Sequence, residues 1–194
     1  MPINLTKGQK ISLAKEGGAQ LTKIVMGLGW DPIKVRGLFG FGARQLEVDL
    51  DASCLMFDES KTLLDTVYFG QLKSKDGSII HTGDNRTGAG EGDDEQIKVD
   101  LSRVPQTVKT LVFVVNSFSG QNFSQIENAT CRIVDEGTGR EIANYNLTGT
   151  KGSHNAQVMA KLYRHGGEWK MHAIGEIATG RTFHDILPVV NQFL

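Results

Sequence analysis

Hydrophobic and polar residues alternate along much of the chain, and an alternation with a period of two predicts β-strands. Residues 46–57, LEVDLDASCLMF, show this pattern most clearly. One face of the predicted strand is apolar and consists of Leu46, Val48, Leu50, Ala52, Cys54 and Met56. The other face is polar and consists of Glu47, Asp49, Asp51 and Ser53. Such a strand packs one face on a core and directs two aspartates away from it.

The same kind of signal recurs in both halves of the chain. Further strands are predicted at residues 21–30, 63–70 and 77–83. Residues 129–147 predict two strands joined by a glycine turn, and residues 157–178 predict a hairpin that turns at Gly166-Gly167. Residues 110–115, TLVFVV, are apolar without alternation, which predicts a strand covered on both faces.

Signals for helices are few. Residues 99–105 predict one short turn before Pro105, and residues 182–194 have apolar positions at helical spacing, with Pro188 expected to start or kink a turn. Many short strands with glycine-rich turns predict a mainly all-β fold, an antiparallel β-sandwich with acidic metal-binding loops and a short C-terminal helix. Since no repeat or linker divides the sequence, we expect one domain over residues 1–194.

Residues 36–45, RGLFGFGARQ, interrupt the strand pattern between two acidic stretches. Three glycines in ten residues predict a mobile loop at this position. Its apolar side chains, Leu38, Phe39 and Phe41, are interpreted as a cover for the core.

Composition and charge exclude some broad classes of function. Of the 194 residues, 39% are hydrophobic and 22% are charged, which is ordinary for a globular protein. A net charge of −1 gives no general attraction to nucleic acid or to an anionic membrane. Without an apolar run of signal-peptide or membrane-helix length, a cytoplasmic location is expected.

Cys54 and Cys131 lie far apart without a CxxC pair, so we expect two free, buried thiols.

The most unusual stretch is residues 81–95, HTGDNRTGAGEGDDE. It combines four glycines with five carboxylates, which are Asp84, Glu91, Asp93, Asp94 and Glu95. Like charges this close repel each other, and glycine loses more chain entropy than other residues when it is ordered. Such a loop either stays solvated or is held by a cation, and both interpretations are open at this point.

Two other acidic segments favour the cation. Asp49 and Asp51 share a strand face at roughly 6–7 Å spacing, and Asp31 ends the segment GLGWD. Calcium takes about six to eight oxygen ligands from carboxylates, amides, carbonyls and water, and Asn85 adds an amide oxygen. If these segments meet in the fold, eight carboxylates gather, and two ions neutralise them better than one.

Rival motifs fit this loop less well. An EF-hand would need ligands where Arg86 and Gly88 stand. A phosphate-binding glycine loop would need a lysine, and the carboxylates would repel a phosphate. A zinc site would need thiolates or imidazoles, and neither cysteine lies in the cluster. The adjacent His81 is interpreted as a hydrogen-bonding residue at the end of a strand.

Five segments, in this order, resemble the TerD-domain family of tellurium-resistance and stress proteins. They are GLGWD (27–31), DLDAS (49–53), LKSKDGSIIHTGDNRTGAGEGDDE (72–95), LVFVVNSF (111–118) and LYRHGGEWKMHAIGE (162–176). The variants DASCLMFD and KMHAIGE, and the tail with DILP, are most similar to the TerZ subgroup. The resemblance spans essentially the whole chain, and the 36–45 insert departs from the family pattern.

The resemblance implies a β-sandwich whose acidic loops bind two calcium ions. The metal-binding positions that it implies are Asp31, Asp49, Asp51, Asp84, Asn85, Glu91, Asp93, Asp94 and Glu95. It implies a role in resistance to tellurite and in tolerance of phage, colicins and chemical damage. It also implies that the protein acts with other Ter proteins, including a membrane-embedded one, and that the domain has no established catalytic activity.

The sequence therefore predicts a calcium-binding regulatory or scaffold protein that is not an enzyme. It binds no nucleic acid and does not insert into a membrane. Three alternatives stay open. The acidic cluster could serve a metal-dependent phosphoesterase with His81 as acid or base, or a lectin in which Trp30 stacks on a sugar. The third alternative is direct chemistry on tellurite at the two thiols.

Overall fold

The computed structural model describes residues 3–4, 8–13, 21–36, 43–88, 92–148 and 152–194. Most of the described chain is β-strand, as the alternating pattern predicts. The strands are β1 (Ile3–Asn4), β2 (Lys10–Ser12), β3 (Lys23–Asp31), β4 (Ile33–Arg36), β5 (Ala43–Leu46), β6 (Leu50–Phe57), β7 (Leu63–Val67), β8 (Ile79–His81), β9 (Glu95–Asp100), β10 (Thr110–Ser117), β11 (Glu127–Asp135), β12 (Glu141–Asn146), β13 (Ala156–His165) and β14 (Glu168–Ala178). Within the described ranges, an α-helix, α1, runs from Phe183 to Val190, and short 3-10 turns cover Phe123–Gln125 and Asn191–Phe193.

Two six-stranded sheets pack face to face and form a β-sandwich. The first sheet has the order β1-β12-β11-β3-β9-β8, and the second has the order β2-β14-β13-β10-β6-β7. Neighbouring strands are antiparallel except for β1 and β12, and β4 with β5 forms a separate ribbon. The predicted antiparallel β-sandwich with a short C-terminal helix is confirmed.

The core between the sheets follows the predicted alternation. On β6 the inward residues Leu50, Ala52, Cys54 and Met56 belong to the main hydrophobic cluster and are almost wholly buried. The outward residues of the same strand begin with Asp51 and Ser53 and become apolar toward its end. The second sheet therefore has an outer face that is polar at one end and apolar at the other.

Strand β10 is covered on both faces, which confirms the interpretation of its uninterrupted apolar run. Phe113 points into the main cluster, whereas Val112 and Val114 belong to a second cluster on the outer face of the sheet. Helix α1 covers this second cluster with its buried residues Phe183 and Ile186. The middle of a strand that is buried on both faces favours apolar side chains at successive positions, which explains the run from Leu111 to Val115.

The predicted hairpin of residues 157–178 is present as β13 and β14. Gly166 and Gly167 make its turn with φ angles of 62° and 83°. A two-residue turn with two positive φ angles matches the twist of the flanking strands, and glycine adopts it without a steric penalty.

Helix α1 begins after Thr182, where the Asp185 carboxylate accepts hydrogen bonds from the backbone N–H groups of Arg181 and Thr182 (2.9 and 3.0 Å). Pro188 lies within the helix. Among the described residues, no helix combines the length and the apolar character that a membrane span requires.

Some elements differ from the predicted ones. The last acidic residue of the 81–95 stretch, Glu95, is already the first residue of strand β9, which the sequence did not predict. Strand β6 starts at Leu50 and not at Leu46, which belongs to β5 and is 41% exposed. Residues 37–42, with Leu38, Phe39 and Phe41 of the predicted loop, lie outside the described residues.

We predict that Ile186→Ala lowers the free energy of unfolding by about 2–5 kcal/mol, because it leaves a cavity under the helix. Ile186 is wholly buried, whereas Ile177 is 47% exposed and is the matched control. Urea denaturation measures both variants, and Ile177→Ala should change stability by less than about 1 kcal/mol. Equal losses for the two isoleucines would show that the helix does not seal this face.

Candidate metal centre

Three aspartates meet at the polar end of the second sheet. Asp49 directly precedes β6, Asp51 lies in β6, and Asp84 lies in the loop after β8. One carboxylate oxygen from each residue lies within 4.8 Å of those of the other two. The position of Asp49 is fixed through its backbone, since its carbonyl accepts from the Phe118 N–H (2.9 Å) and its N–H donates to Ser119 Oγ (3.1 Å). We refer to Asp49, Asp51 and Asp84 as the acidic trio.

The acidic trio is costly to keep charged. Asp51 is only 3% exposed, and burial, with added repulsion from Glu95 and Asp49, raises its pKa to about 8. Burial, followed by repulsion from Asp84, also raises the pKa of Asp49. Asn116 Nδ2 donates to Asp51 Oδ2 (2.9 Å), but no described lysine, arginine or histidine forms an ion pair with the trio. The cluster therefore carries negative charge without an internal counterion.

Glu95 lies next to the trio and connects the two sheets. Its Oε2 accepts from the Ala52 N–H of β6 (2.9 Å), and its Oε1 accepts from the Asn85 N–H (3.3 Å). His81 Nε2 lies 3.3 Å from the same Oε2, and both side chains are wholly buried. The Gly83 N–H donates to His81 Nδ1 (3.1 Å), which places the ring proton on Nε2, facing Glu95. The prediction that His81 is a hydrogen-bonding residue at a strand end is confirmed.

A second acidic group forms around Asp94. Its Oδ2 accepts from the Trp30 N–H (2.9 Å), and its pKa is raised by burial, with repulsion from Asp31 and Asp93 adding to it. Asp93 already has a cationic partner, because Arg132 donates to its two oxygens at 2.8 and 3.1 Å. Asp31, Asp93 and Asp94 are called the second acidic group.

Asn85 folds the loop between the two groups. Its Oδ1 accepts from the N–H groups of Thr87 and Gly88 (3.1 Å each), and its Nδ2 donates to Asp94 Oδ1 (2.8 Å). Gly88 has a φ of 64°, and a Cβ there would lie 2.3 Å from Trp30 Nε1. The loop can close over Trp30 only because Gly88 has no side chain.

The predicted metal-binding residues therefore fall into two groups. The trio lies together with Glu95 beside it, and Asp31, Asp93 and Asp94 form the second acidic group, with Asn85 between them. Asp31 Oδ2 accepts from Asn128 Nδ2 (2.6 Å). Glu91 lies outside the described residues. The metal-ligand role of each residue stays a prediction.

Several residues at the site were missed by sequence reasoning. A cavity of about 170 Å³ at the trio is also lined by Phe69, Arg86 and Phe118. Arg132, the partner of Asp93, is the cation between Cys131 and Ile133 on β11, and alternation alone could have placed it outside the core. Asn116 is the first polar residue after the apolar run of β10, which was also a usable signal.

Two alternatives lose their structural basis. Trp30 is 3% exposed and its Nε1 donates to the Val48 carbonyl (2.8 Å), so its ring offers no face to a sugar. Cys54 and Cys131 are free and buried, as predicted, and burial raises the pKa of both thiols. Buried thiols with raised pKa values are poor nucleophiles, so chemistry on tellurite at these positions is disfavoured.

The fold and the site together define a class, a β-sandwich with clustered carboxylates in the loops at one end of its sheets. The chain belongs to the TerD domain family, whose family model matches residues 1–187. It is 47% identical over 186 residues to the tellurium resistance protein TerZ of Serratia marcescens, covering 95% of this chain and 94% of that protein. The predicted family is confirmed.

Stress proteins are also among the relatives. The chain is 43% identical to the stress response protein SCP2 of Bacillus subtilis (strain 168), covering 96% of this chain and 98% of that protein. The crystal structure of SCO6318, a homologue of telluride resistance protein TerD from Streptomyces coelicolor A3(2), superposes with a TM-score of 0.68. It covers 82% of this chain and 92% of its own at 18% identity, which supports the fold alone.

We predict that the metal-free protein becomes less stable as the pH rises from 3.8 to about 8. Asp51 has a folded pKa of about 8 against an ordinary value of 3.8, so the folded state binds its proton more tightly than the unfolded state. The stability that comes from this difference in pKa is fully present below pH 3.8, and it is lost as the pH rises toward 8. Thermal melting in chelator across this window measures the loss.

The variant Asp51→Asn should flatten this profile and raise the melting temperature by a few degrees at the alkaline end. The exposed Glu59→Gln removes one negative charge elsewhere and serves as the control. A wild-type profile that rises with pH would contradict the assignment of a buried, unpaired charge to Asp51.

Proposed function

We propose that this protein binds calcium, with two ions expected, and serves as a regulatory or scaffold protein of a tellurium-resistance and stress-response system. It is not an enzyme, and it acts in the cytoplasm with other Ter proteins, including a membrane-embedded one. The observation that carries the calcium proposal is the acidic trio, three carboxylates within 4.8 Å of one another that form no ion pair with any described residue. The relatives named for tellurium resistance and stress response support the biological setting.

The chemistry of the trio suits a hard cation. Calcium prefers carboxylate oxygens at about 2.3–2.6 Å and completes its shell of about six to eight ligands with carbonyls and water. Asp49 Oδ1 is buried and accepts no hydrogen bond from the described part of the chain, so the trio contains an oxygen that these residues leave unused. Asp51 and Asp84 would supply the other carboxylate oxygens. Burial and then repulsion raise the Asp51 pKa, and a bound cation would offset both by favouring the charged carboxylate.

The second acidic group is the expected position of the second ion. There, Arg132 already neutralises Asp93 and Asn128 donates to Asp31, so part of the oxygen surface is in use. An ion at this position competes with those partners. We therefore expect it to bind more weakly than the ion at the trio.

A hydrolase has less support. The histidine next to the loop, His81, is buried against Glu95 and its Nδ1 accepts from Gly83, so it cannot reach a substrate at the cleft as acid or base. The arrangement supports a role in which calcium joins the loops of the two sheets and a partner recognises the ordered surface.

Isothermal calcium titration of the chelator-treated protein tests the proposal. The wild type should bind two ions, and Asp49→Asn or Asp84→Asn should each remove the tighter one. Saturation at about 100 times the dissociation constant should stabilise the wild type by about 2.7 kcal/mol. The trio variants should lose most of this stabilisation.

Glu59→Gln is the matched control, because Glu59 is an exposed carboxylate outside both acidic groups. It should bind calcium as the wild type does. Unchanged stoichiometry in both trio variants, or no binding by the wild type at millimolar calcium, would overturn the proposal.

A further inference from the structure

The cavity at the acidic trio adjoins a second, smaller cavity. The first holds about 170 Å³, and the second, of about 110 Å³, lies beside it on the same face of the sheet. Asp51 and Phe69 line both cavities, so the two are adjacent and have a wall in common. We refer to the pair as the aromatic cleft.

Aromatic rings line this cleft, although they cannot serve as ligands of calcium, which binds oxygen atoms. Phe69 and Phe118 are 38% and 39% exposed, and their ring centroids lie 5.9 Å apart in edge-to-face contact. The Tyr68 ring contacts both Phe69 (5.3 Å) and Phe183 (5.0 Å). Two half-exposed phenylalanine rings beside a group of carboxylates form an apolar surface that the fold itself does not bury.

Arg86 lies at the mouth of the cleft and forms no ion pair with a described residue. It is exposed and lines the first cavity, and its positive charge acts on Asp49 from beyond ion-pair distance. A free guanidinium can hold a carboxylate or a phosphate through two parallel hydrogen bonds. Arg181, in contrast, is engaged, since its Nε donates to the Phe118 carbonyl (2.7 Å) and its guanidinium lies over the Phe118 ring.

The floor of the second cavity is polar and rigidly held. Asp51, Ser53 and Asn116 are 3%, 1% and 1% exposed, respectively, and Asn116 Nδ2 donates both to Asp51 and to the Arg181 carbonyl (2.7 Å). The walls are the rings of Tyr68, Phe69 and Phe183. A cavity with aromatic walls and a buried polar floor is the usual form of a small-molecule site.

We propose that the aromatic cleft, when loaded with calcium, binds a small ligand in which a carboxylate or phosphate is joined to an aromatic ring. Arg86 and the calcium at the trio hold the anionic group, and the ring packs between the phenylalanines and Tyr68. This inference rests on the proposed calcium site, because the charged trio would otherwise repel an anion. The cavity volumes fit one small molecule and not an extended peptide.

Calcium-loaded protein is titrated with phenyl phosphate and with phenylacetate, which distinguishes the two anionic groups. Methyl phosphate and acetate are the matched ligands without a ring. We expect at least one aromatic ligand to bind about tenfold more tightly than its methyl counterpart, from its contacts with the rings. Chelator should abolish this binding.

Two variants test the assigned contacts. Phe118→Leu keeps apolar volume but removes the ring, and Arg86→Gln removes the charge. Each should weaken the aromatic ligand about fivefold to tenfold while the calcium stoichiometry stays at the wild-type value. Arg140→Gln, at an exposed arginine in the β11–β12 turn, is the control and should change neither measurement.

The two proposals fail in different ways. If calcium binds but neither aromatic ligand binds at millimolar concentration, the cleft proposal is overturned and the calcium proposal stands. Equal affinities for the aromatic and methyl ligands would overturn the role of the rings, and unchanged affinity in Arg86→Gln would overturn that of the arginine. If calcium itself does not bind, both proposals fall.

Discussion

Repulsion among carboxylates at one end of the sandwich is the constraint on which the rest of the site depends. Asp49 and Asp51 lie at the start of β6 in the second sheet, whereas Asp84 lies in the loop after β8 of the first sheet. The charges of the trio therefore oppose the approach of the two sheets. Glu95 adds to this repulsion, since its charge helps to raise the pKa of Asp51, but it also accepts hydrogen bonds from the Ala52 N–H across the sandwich and from the Asn85 N–H. These hydrogen bonds hold Glu95 in place but leave the charge of the trio unneutralised. Two means of compensation are left, a proton on Asp51, whose pKa is raised to about 8 by burial and by repulsion from Glu95 and Asp49, and a bound cation.

The outer face of the second sheet explains why acid and aromatic groups share one cleft. Along β6 the outward residues change from Asp51 and Ser53 to apolar residues within one strand, and helix α1 covers only the apolar end. The covered area ends at Phe183, the first residue of the helix, whose ring contacts Tyr68. The helix therefore leaves part of this sheet face uncovered. The cleft lies on the uncovered part, between the helix and the charged loops.

Much of the fold could be predicted from the sequence, whereas the arrangement of the site could not. Alternation on β6 and its absence on β10 determine which side chains are buried, and both are local properties. The division of the acidic residues into two groups depends instead on Arg132 and Asn128, which lie on β11 and pair with Asp93 and Asp31. Those partners are 39 and 97 residues away in the chain, and the registers of β3 with β11 and with β9 bring them close. Charge counting along one loop contains no information on such partners.

The shared wall at Asp51 has an energetic consequence for the proposed functions. Calcium at the trio and a ligand in the aromatic cleft would both interact with the same carboxylate, one directly and one across the cavity. Coupling between two bound species is reciprocal, so a ligand whose anionic group needs calcium must raise the calcium affinity by the same factor. The calcium affinity of the cleft would then vary with the supply of that ligand. A site of this kind can remain empty at a calcium concentration that fills it once the ligand is present, and this behaviour distinguishes a regulatory site from a permanent structural one.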